Sequence, residues 1–336
     1  MKIICTLGPS SFNKNTLNKL KSLGVNIFRI NLSHIEKKDI LKKIIYLKKN
    51  NIKNICIDTE GAQIRTSKVK KKIFFKKNVL IRFSIGSKFS NKNKINLYPN
   101  FDLMSCKLNT KIAVGFNSLI FKVKKKDYKL KNLIARVVVP GYLESNKGVH
   151  INQIIKLHPL TEKDEYAIKI ANKNKVKFFA ISFVNRSSDI DEVRKLVNNK
   201  AFIISKIETK SAINELKSIT NKSNALLIDR GDLSRYIPIE KIPPAQEEIV
   251  KIGKSKNVPV YVATNLLETM IKENQPTRAE SQDIFSTLKQ GASGLVLAAE
   301  TAIGINPVGC VKFLKKSISV YRKFKNEKFK KNKFHL

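Results

Sequence analysis

No apolar run in the chain is longer than a strand, so nothing in it reads as a membrane span. A secretory leader is not expected either, because few apolar residues separate Met1-Lys2 from Gly8-Pro9. Cysteine is scarce: the four thiols, Cys5, Cys56, Cys106 and Cys310, include no C-x-x-C pair. That spacing argues against a zinc site and fits reduced thiols in a cytosol, so a cytoplasmic setting is expected. Only 13 glycines and 10 prolines interrupt 336 residues, and 42% are hydrophobic, the content of a globular chain with a sizeable core. Acidic residues are few, 26 against 66 basic ones, which leaves a net charge of +40. No RNP-like run, zinc finger or helix-turn-helix cue accompanies that charge. The lysines are instead spread along the chain among Asn, Ile and Phe, four residue types with A/T-rich codons, so codon drift accounts for them. No specific nucleic-acid partner is expected, only weak, salt-sensitive phosphate binding.

What is present is a rhythm. Lys2-Ile3-Ile4-Cys5-Thr6 reads as a strand, residues 15–23 as a helix stopped by Gly24, and residues 25–31 as a second strand. A helix rich in Ile and Lys then leads to a third strand over residues 54–59. Strands at 177–184, 201–207, 224–229, 258–263 and 293–298 continue the pattern, each separated from the next by a helical segment. Eight strand–helix units predict an α/β fold of the (β/α)₈ TIM-barrel type. Between about Ser67 and Asn152 the rhythm breaks into short β-like runs, which predicts a small inserted β-barrel-like lid domain. The expected organisation is a barrel over 1–66 and 153–320, a lid over 67–152 hinged at Thr66 and Ile154, and a basic tail over 321–336. That tail reads as a solvated, frayed terminus.

Unusual polar residues gather at the strand exits. Arg29, Asn31 and Ser33 follow the second strand, Asp58 and Thr59 the third, and Ser182 the fourth. Lys206 and Glu208 end the fifth, Arg230-Gly231-Asp232 follow the sixth, Thr264 the seventh, and Glu300-Thr301 the eighth. In such a barrel these positions share the C-terminal face, where active sites are built. Lys206 and Glu208 are one residue apart, so alternation points both the same way, able to hold a metal beside an anionic substrate.

The motifs around these residues resemble those of pyruvate kinases. The run Cys5-Thr6-Leu7-Gly8-Pro9-Ser10, the segment Arg29 to His34 and the segment Asp58 to Thr66 carry the likeness. So do Ser205-Lys206-Ile207-Glu208, Arg230-Gly231-Asp232-Leu233, Ala263-Thr264, Pro276 to Glu280 and Glu300-Thr301-Ala302, all in the family's order. The resemblance covers roughly residues 1–320. It implies phosphoryl transfer from phosphoenolpyruvate to ADP, giving pyruvate and ATP in glycolysis. By that resemblance Lys206 stabilises the moving phosphoryl group and the enolate oxygen, and Glu208 with Asp232 holds Mg²⁺ or Mn²⁺. Backbone N–H groups of Gly231 and Asp232 bind the substrate carboxylate. Thr264 helps deliver the proton, with a plain strand-end hydroxyl bonding nearby backbone as the other reading. Arg29 contacts phosphate, while Arg65 and Lys147 supply charge on the nucleotide side. His34 falls there too, as a structural hydrogen bonder rather than an acid or base. Asn31, Ser33, Asp58 and Thr59 are the implied ligands of K⁺. Thr277 and Glu280 form a capping box. A homo-oligomer, such as a barrel-mediated dimer, is compatible with the chain.

Several positions depart from the family pattern. The lid's Asp-Asp-Gly turn aligns with Gly115-Phe116-Asn117, without either acid. Gln63 stands where a glutamate accompanies K⁺ dependence. Ser234-Arg235-Tyr236 and Ala298-Ala299 also differ from the family's residues. The family's C-terminal α/β domain has no counterpart in the stretch after residue 320, so no sugar-phosphate allostery is expected. Two readings stay open: a minimal pyruvate kinase, or a degenerate relative that binds phosphates or metal with little turnover.

Overall fold

Eight short runs of apolar, largely β-branched residues close into a parallel barrel in the computed structural model, which describes residues 1–329 apart from 62, 116, 117 and 154. The Asn117 turn, the Ile154 hinge and the end of the tail lie outside the described residues. The barrel strands are β1 (Lys2–Thr6), β2 (Ile27–Asn31), β3 (Ile55–Asp58) and β4 (Phe178–Ile181). They continue as β5 (Phe202–Ile207), β6 (Ala225–Asp229), β7 (Val260–Ala263) and β8 (Gly294–Leu297). Each pairs in parallel with its sequence neighbour, and β1 closes the ring on β8. The eight strands expected from the sequence are all present, the first with the bounds read and the other seven somewhat shorter.

Alternation sorts each strand into inward and outward residues. Ile4, Ile27, Cys56, Ala180, Ile204 and Leu227 meet in one buried cluster inside the barrel. Two residues further along the same strands stand Thr6, Arg29, Asp58, Ser182, Lys206 and Asp229, all buried. Apolar residues thus fill the barrel's interior, and the next inward layer toward the strand exits is polar.

Local chemistry sets the helices. Thr277 and Glu280 make the expected capping box: the Thr277 Oγ1 accepts from Glu280 N at 3.1 Å, and Glu280 Oε2 accepts from Thr277 N at 2.7 Å. In the helix Glu162–Lys173 the buried Asp164 turns back to accept from the N–H groups of Glu60 at 2.7 Å and Gly61 at 3.0 Å. This shapes the loop after β3. Gly61 there has φ +69°, and an added Cβ would stand 2.6 Å from the Ser182 carbonyl oxygen, so the loop needs a glycine.

The chain divides into two compact units, residues 1–61 with 162–336, and residues 62–161. The second unit is a seven-stranded sheet ordered Val149–Ile151, Lys111–Val114, Leu119–Asp127, Asn132–Val139, Leu80–Ile85, Lys94–Tyr98, Arg65–Thr66. An Arg65–Gly148 bridge links its two edges, so the sheet is nearly closed around a core in which the Phe83 and Phe121 rings meet edge to face. Thr66 is a buried member of this sheet, its strand pairing with Lys94–Tyr98, and the unit begins a few residues before it. The tail reading also changes for its described part. The helix Pro307–Phe329 runs through Tyr321 and Phe324, whose rings pack on Phe285 at 5.7 and 5.3 Å. Two aromatic contacts outweigh the fraying expected of a basic terminus.

All four cysteines are buried and unpaired. Burial pushes the Cys106 thiol up to about 11 and those of Cys56 and Cys310 up to about 12; Cys5 is raised as well. Unfolded thiols titrate near ~8.5. Above that pH the unfolded chain releases protons that the folded chain keeps, so these groups lower stability as pH rises and leave it unchanged below ~8.5. The slope is roughly 1.4 kcal/mol per pH unit for each thiol. A thiol reagent at pH 8 is expected to label none of the four until denaturant is added. Stoichiometric labelling of the native protein would contradict this burial.

Candidate active site

Lys206 ends the inward face of β5 and is almost completely buried. Its ammonium lies 2.8 Å from Glu208 Oε1, 3.4 Å from Asp58 Oδ1 and 3.5 Å from Asp229 Oδ2. It also donates to Ser182 Oγ at 3.0 Å. Burial opposes the charge, but Asp58, Glu208 and Asp229 outweigh it and raise the Lys206 pKa above its ordinary value. Lys206 is therefore a permanent cation. Burial pushes Glu208 up, Lys206 pulls it down, and Asp232 and Asp229 push it up again, to about 8. Glu208 Oε2 also accepts from the Phe183 N–H at 2.6 Å. That bond fixes the carboxylate at the strand exit.

Asp58 is fully buried between two cations. Arg29 NH1 stands 3.1 Å from its Oδ2, while Lys206 approaches its Oδ1. Arg29 Nε donates to Thr6 Oγ1 at 2.8 Å, so the guanidinium is held by β1 and β3. Thr59 accepts from the Ser182 N–H through Oγ1 at 2.9 Å and from Ser182 Oγ through its carbonyl at 2.7 Å. Asn31 Oδ1 accepts from Ser33 N at 3.0 Å, and both residues are half-buried. Asn31 and Asp58 are register partners across β2 and β3. Each of these carbonyl and carboxylate oxygens keeps a further lone pair, so the set still fits a monovalent cation.

Asp232 lies in the four-residue helix Arg230–Leu233, where Arg235 NH1 is 3.2 Å from its Oδ1. Glu208, Asp229 and Asp232 each offer a carboxylate oxygen within 4.8 Å of the others. Hard oxygen donors so grouped fit Mg²⁺ or Mn²⁺. The backbone donors expected to bind the substrate carboxylate are engaged within the protein. Gly231 N donates to Thr264 Oγ1 at 2.9 Å, and Asp232 N to Asp229 Oδ1 at 3.4 Å.

Thr264 follows β7 with φ +69°, an uncommon conformation for a β-branched residue. Its hydroxyl donates to the Ala263 carbonyl at 2.6 Å, as a strand-end hydroxyl would. Arg230 holds the Thr264 carbonyl through Nε at 3.2 Å and NH2 at 2.6 Å, while its NH1 meets Asp283 at 2.8 Å. The surroundings thus over-determine a strained backbone of the kind found at functional sites.

Other predicted residues lie elsewhere. His34 is exposed at the end of a 3₁₀ turn, and its ring has no hydrogen bond among the described residues, so the structural hydrogen-bonding role finds no partner. Arg65 and Lys147 belong to the second unit. Arg65 NH1 donates to the Asn146 carbonyl at 3.3 Å, and Lys147 pairs with Glu144 at 2.9 Å. Lys72 and Lys147 hold Glu144 down at about 2. Glu300 accepts from Ala298 N at 2.7 Å and Leu267 N at 3.3 Å, an architectural role.

One residue of this constellation escaped the sequence reading. Asp229 sits two positions after the buried Leu227, so extending the β6 alternation by one step finds it. Arg230 stands at the strand exit as expected, but its partners, from the end of β7 and a distant helix, carry no sequence cue.

Comparison with known proteins shows the family of the chain. The family profile "Pyruvate kinase, barrel domain" matches residues 1–311. The chain is 33% identical to the pyruvate kinase of Thermotoga maritima over 94% of its own length and 69% of that protein. It is 32% identical to the pyruvate kinase of Agrobacterium vitis over 97% of its length and 69% of that protein. Against pyruvate kinase isozyme G, chloroplastic, of Nicotiana tabacum, it is 33% identical over 93% of its length and 57% of that protein. The chain thus spans between half and about two thirds of the relatives it matches. With the barrel profile covering nearly all of the described residues, the chain belongs to the pyruvate kinase family.

Proposed function

We propose that the chain transfers the phosphoryl group of phosphoenolpyruvate to ADP, giving pyruvate and ATP. The observation that carries this reading is Lys206, a buried permanent cation among three carboxylates at the barrel's strand exits. In the reaction the bond from phosphorus to the enol oxygen breaks and one to the terminal ADP oxygen forms. The enolate carbon then takes a proton. Lys206 neutralises charge on the moving phosphoryl group and the enolate oxygen, already oriented before substrate arrives. Arg29, fixed by Thr6 and Asp58, adds a second positive charge for phosphate. The Thr264 hydroxyl, held on a strained backbone, orients the water that protonates the enolate.

Glu208 and Asp232 are the proposed holders of Mg²⁺ or Mn²⁺, which when bound neutralises phosphoryl oxygens. Asn31, Ser33, Asp58 and Thr59 are the proposed K⁺ ligands. Arg65 and Lys147 keep a proposed role in meeting nucleotide phosphates. Gly231 and Asp232 can offer their N–H groups to the substrate carboxylate only by leaving Thr264 and Asp229, so that role requires local rearrangement. The free thiols support a reducing, cytosolic setting.

A coupled assay for pyruvate, run with and without Mg²⁺ or Mn²⁺, tests the proposal. Activity is expected only with the divalent ion. Glu208→Gln and Asp232→Asn are expected to weaken Mn²⁺ binding and lower turnover by ~10-fold or more. Unchanged binding and turnover in both variants would remove the metal assignment. The second reading, binding with little turnover, is favoured by the sequence Gly115-Phe116-Asn117, which lacks the family's two acids. Metal binding without pyruvate formation would establish it.

A further inference from the structure

The inward face of β6 reads Ala225, Leu227, Asp229. The same alternation that buries two apolar side chains in the barrel carries a carboxylate into the polar layer above them. Asp229 is buried with only 6% of its surface exposed. It stands 3.5 Å from Lys206 and accepts weakly from Asp232 N at 3.4 Å. Lys206 also serves Asp58 and Glu208 at 3.4 and 2.8 Å. Among the described residues, the ion pairs of this layer join the cations Arg29, Lys206 and Arg235 to the carboxylates of Asp58, Glu208, Asp229 and Asp232.

Asp229 sits where a small hard cation would be held. One oxygen from each of Glu208, Asp229 and Asp232 lies within 4.8 Å of the others. Divalent ions such as Mg²⁺ take oxygens at ~2.0–2.1 Å, so the three side chains would draw together on one ion. We propose that Asp229 is a third carboxylate donor to the divalent cation. This rests on the metal reading above and adds a donor that no motif of the sequence singled out. A third carboxylate adds charge and one more hard oxygen to the ion's surroundings, so removing it should weaken binding. Asp229 would also draw the ion toward the face on which Lys206 lies.

The test is titration of the full chain with Mn²⁺ in the absence of any substrate, reading free Mn²⁺ by its paramagnetic resonance. The comparison includes Asp229→Ala, Asp229→Asn and Glu208→Gln. Asparagine keeps an acceptor for the Asp232 N–H while removing the charge. Thermal melts and circular dichroism establish that each variant is folded. The wild type is expected to bind one Mn²⁺ without substrate, and both Asp229 variants to bind it at least ~10-fold more weakly. Adding phosphoenolpyruvate should recover part of that loss. If Glu208→Gln weakens binding but both Asp229 variants stay within twofold of the wild type, Asp229 serves only Lys206 and the adjoining helical turn. That overturns this inference and leaves the metal reading standing. If Glu208→Gln also binds like the wild type, the metal reading falls with it. Weakened binding in the Asp229 variants of a protein that makes no pyruvate would support the inference while refuting the proposed reaction.

Discussion

Replacing Lys206 with methionine is expected to lower kcat by ~10² or more, the usual loss for one preorganised charge donor. Affinity for Mn²⁺ should hold or rise. The reason is electrostatic: Lys206 lies within 3.5 Å of Asp58, Glu208 and Asp229, and each gives up part of its attraction to this fixed cation. Methionine fills a similar volume, returns that attraction to a bound ion and supplies nothing to a developing enolate. Its effect therefore belongs to the transition state more than to binding. Arginine should not restore the rate, since its planar fork cannot sit where one ammonium meets three carboxylates and the Ser182 hydroxyl. Steady-state kinetics beside Mn²⁺ and phosphoenolpyruvate titrations separate these quantities. A methionine variant with wild-type turnover would make Lys206 a structural counter-ion only.

The second large effect is on stability. Asp58→Ala should cost about 3–5 kcal/mol, because it leaves two buried cations facing one another without the carboxylate between them. Arg29 is 3.1 Å from Asp58 and Lys206 is 3.4 Å away, and all three side chains are nearly solvent-free. Asparagine at this position should cost less than alanine, since it keeps acceptors and volume while still losing the charge. Urea unfolding followed by circular dichroism measures both variants. A loss below ~1 kcal/mol for alanine would mean that Glu208 and Asp229 compensate Lys206, and that Arg29 finds another partner. The same substitution should abolish activity in the folded fraction. Arg29 and Lys206 would then be free to move from the positions that Asp58 holds.

Sequence and tertiary structure divided the information along physical lines. The sequence by itself determined the eight strands, because short β-branched apolar runs between helical segments have few other places to go. It determined that Lys206 and Glu208 share a side, because strand alternation is local and has period two. The Thr277–Glu280 capping box was equally local and formed as read. Only the tertiary structure decided who meets whom. Asp58, whose sequence reading was a K⁺ ligand, is the carboxylate between Arg29 and Lys206, a role visible only when the closed barrel brings the exits of β2, β3 and β5 together. The N–H of Gly231 finds the Thr264 hydroxyl across 33 residues, a partner no short motif encodes. Asp229 drew no notice until the closed barrel set it against Lys206, Glu208 and Asp232. The basic tail hid a helix whose aromatic residues needed Phe285 to pack against. Periodicity and capping act over a few residues and can be read along a chain. Charge compensation and burial act across space, between residues that only the closed barrel makes neighbours.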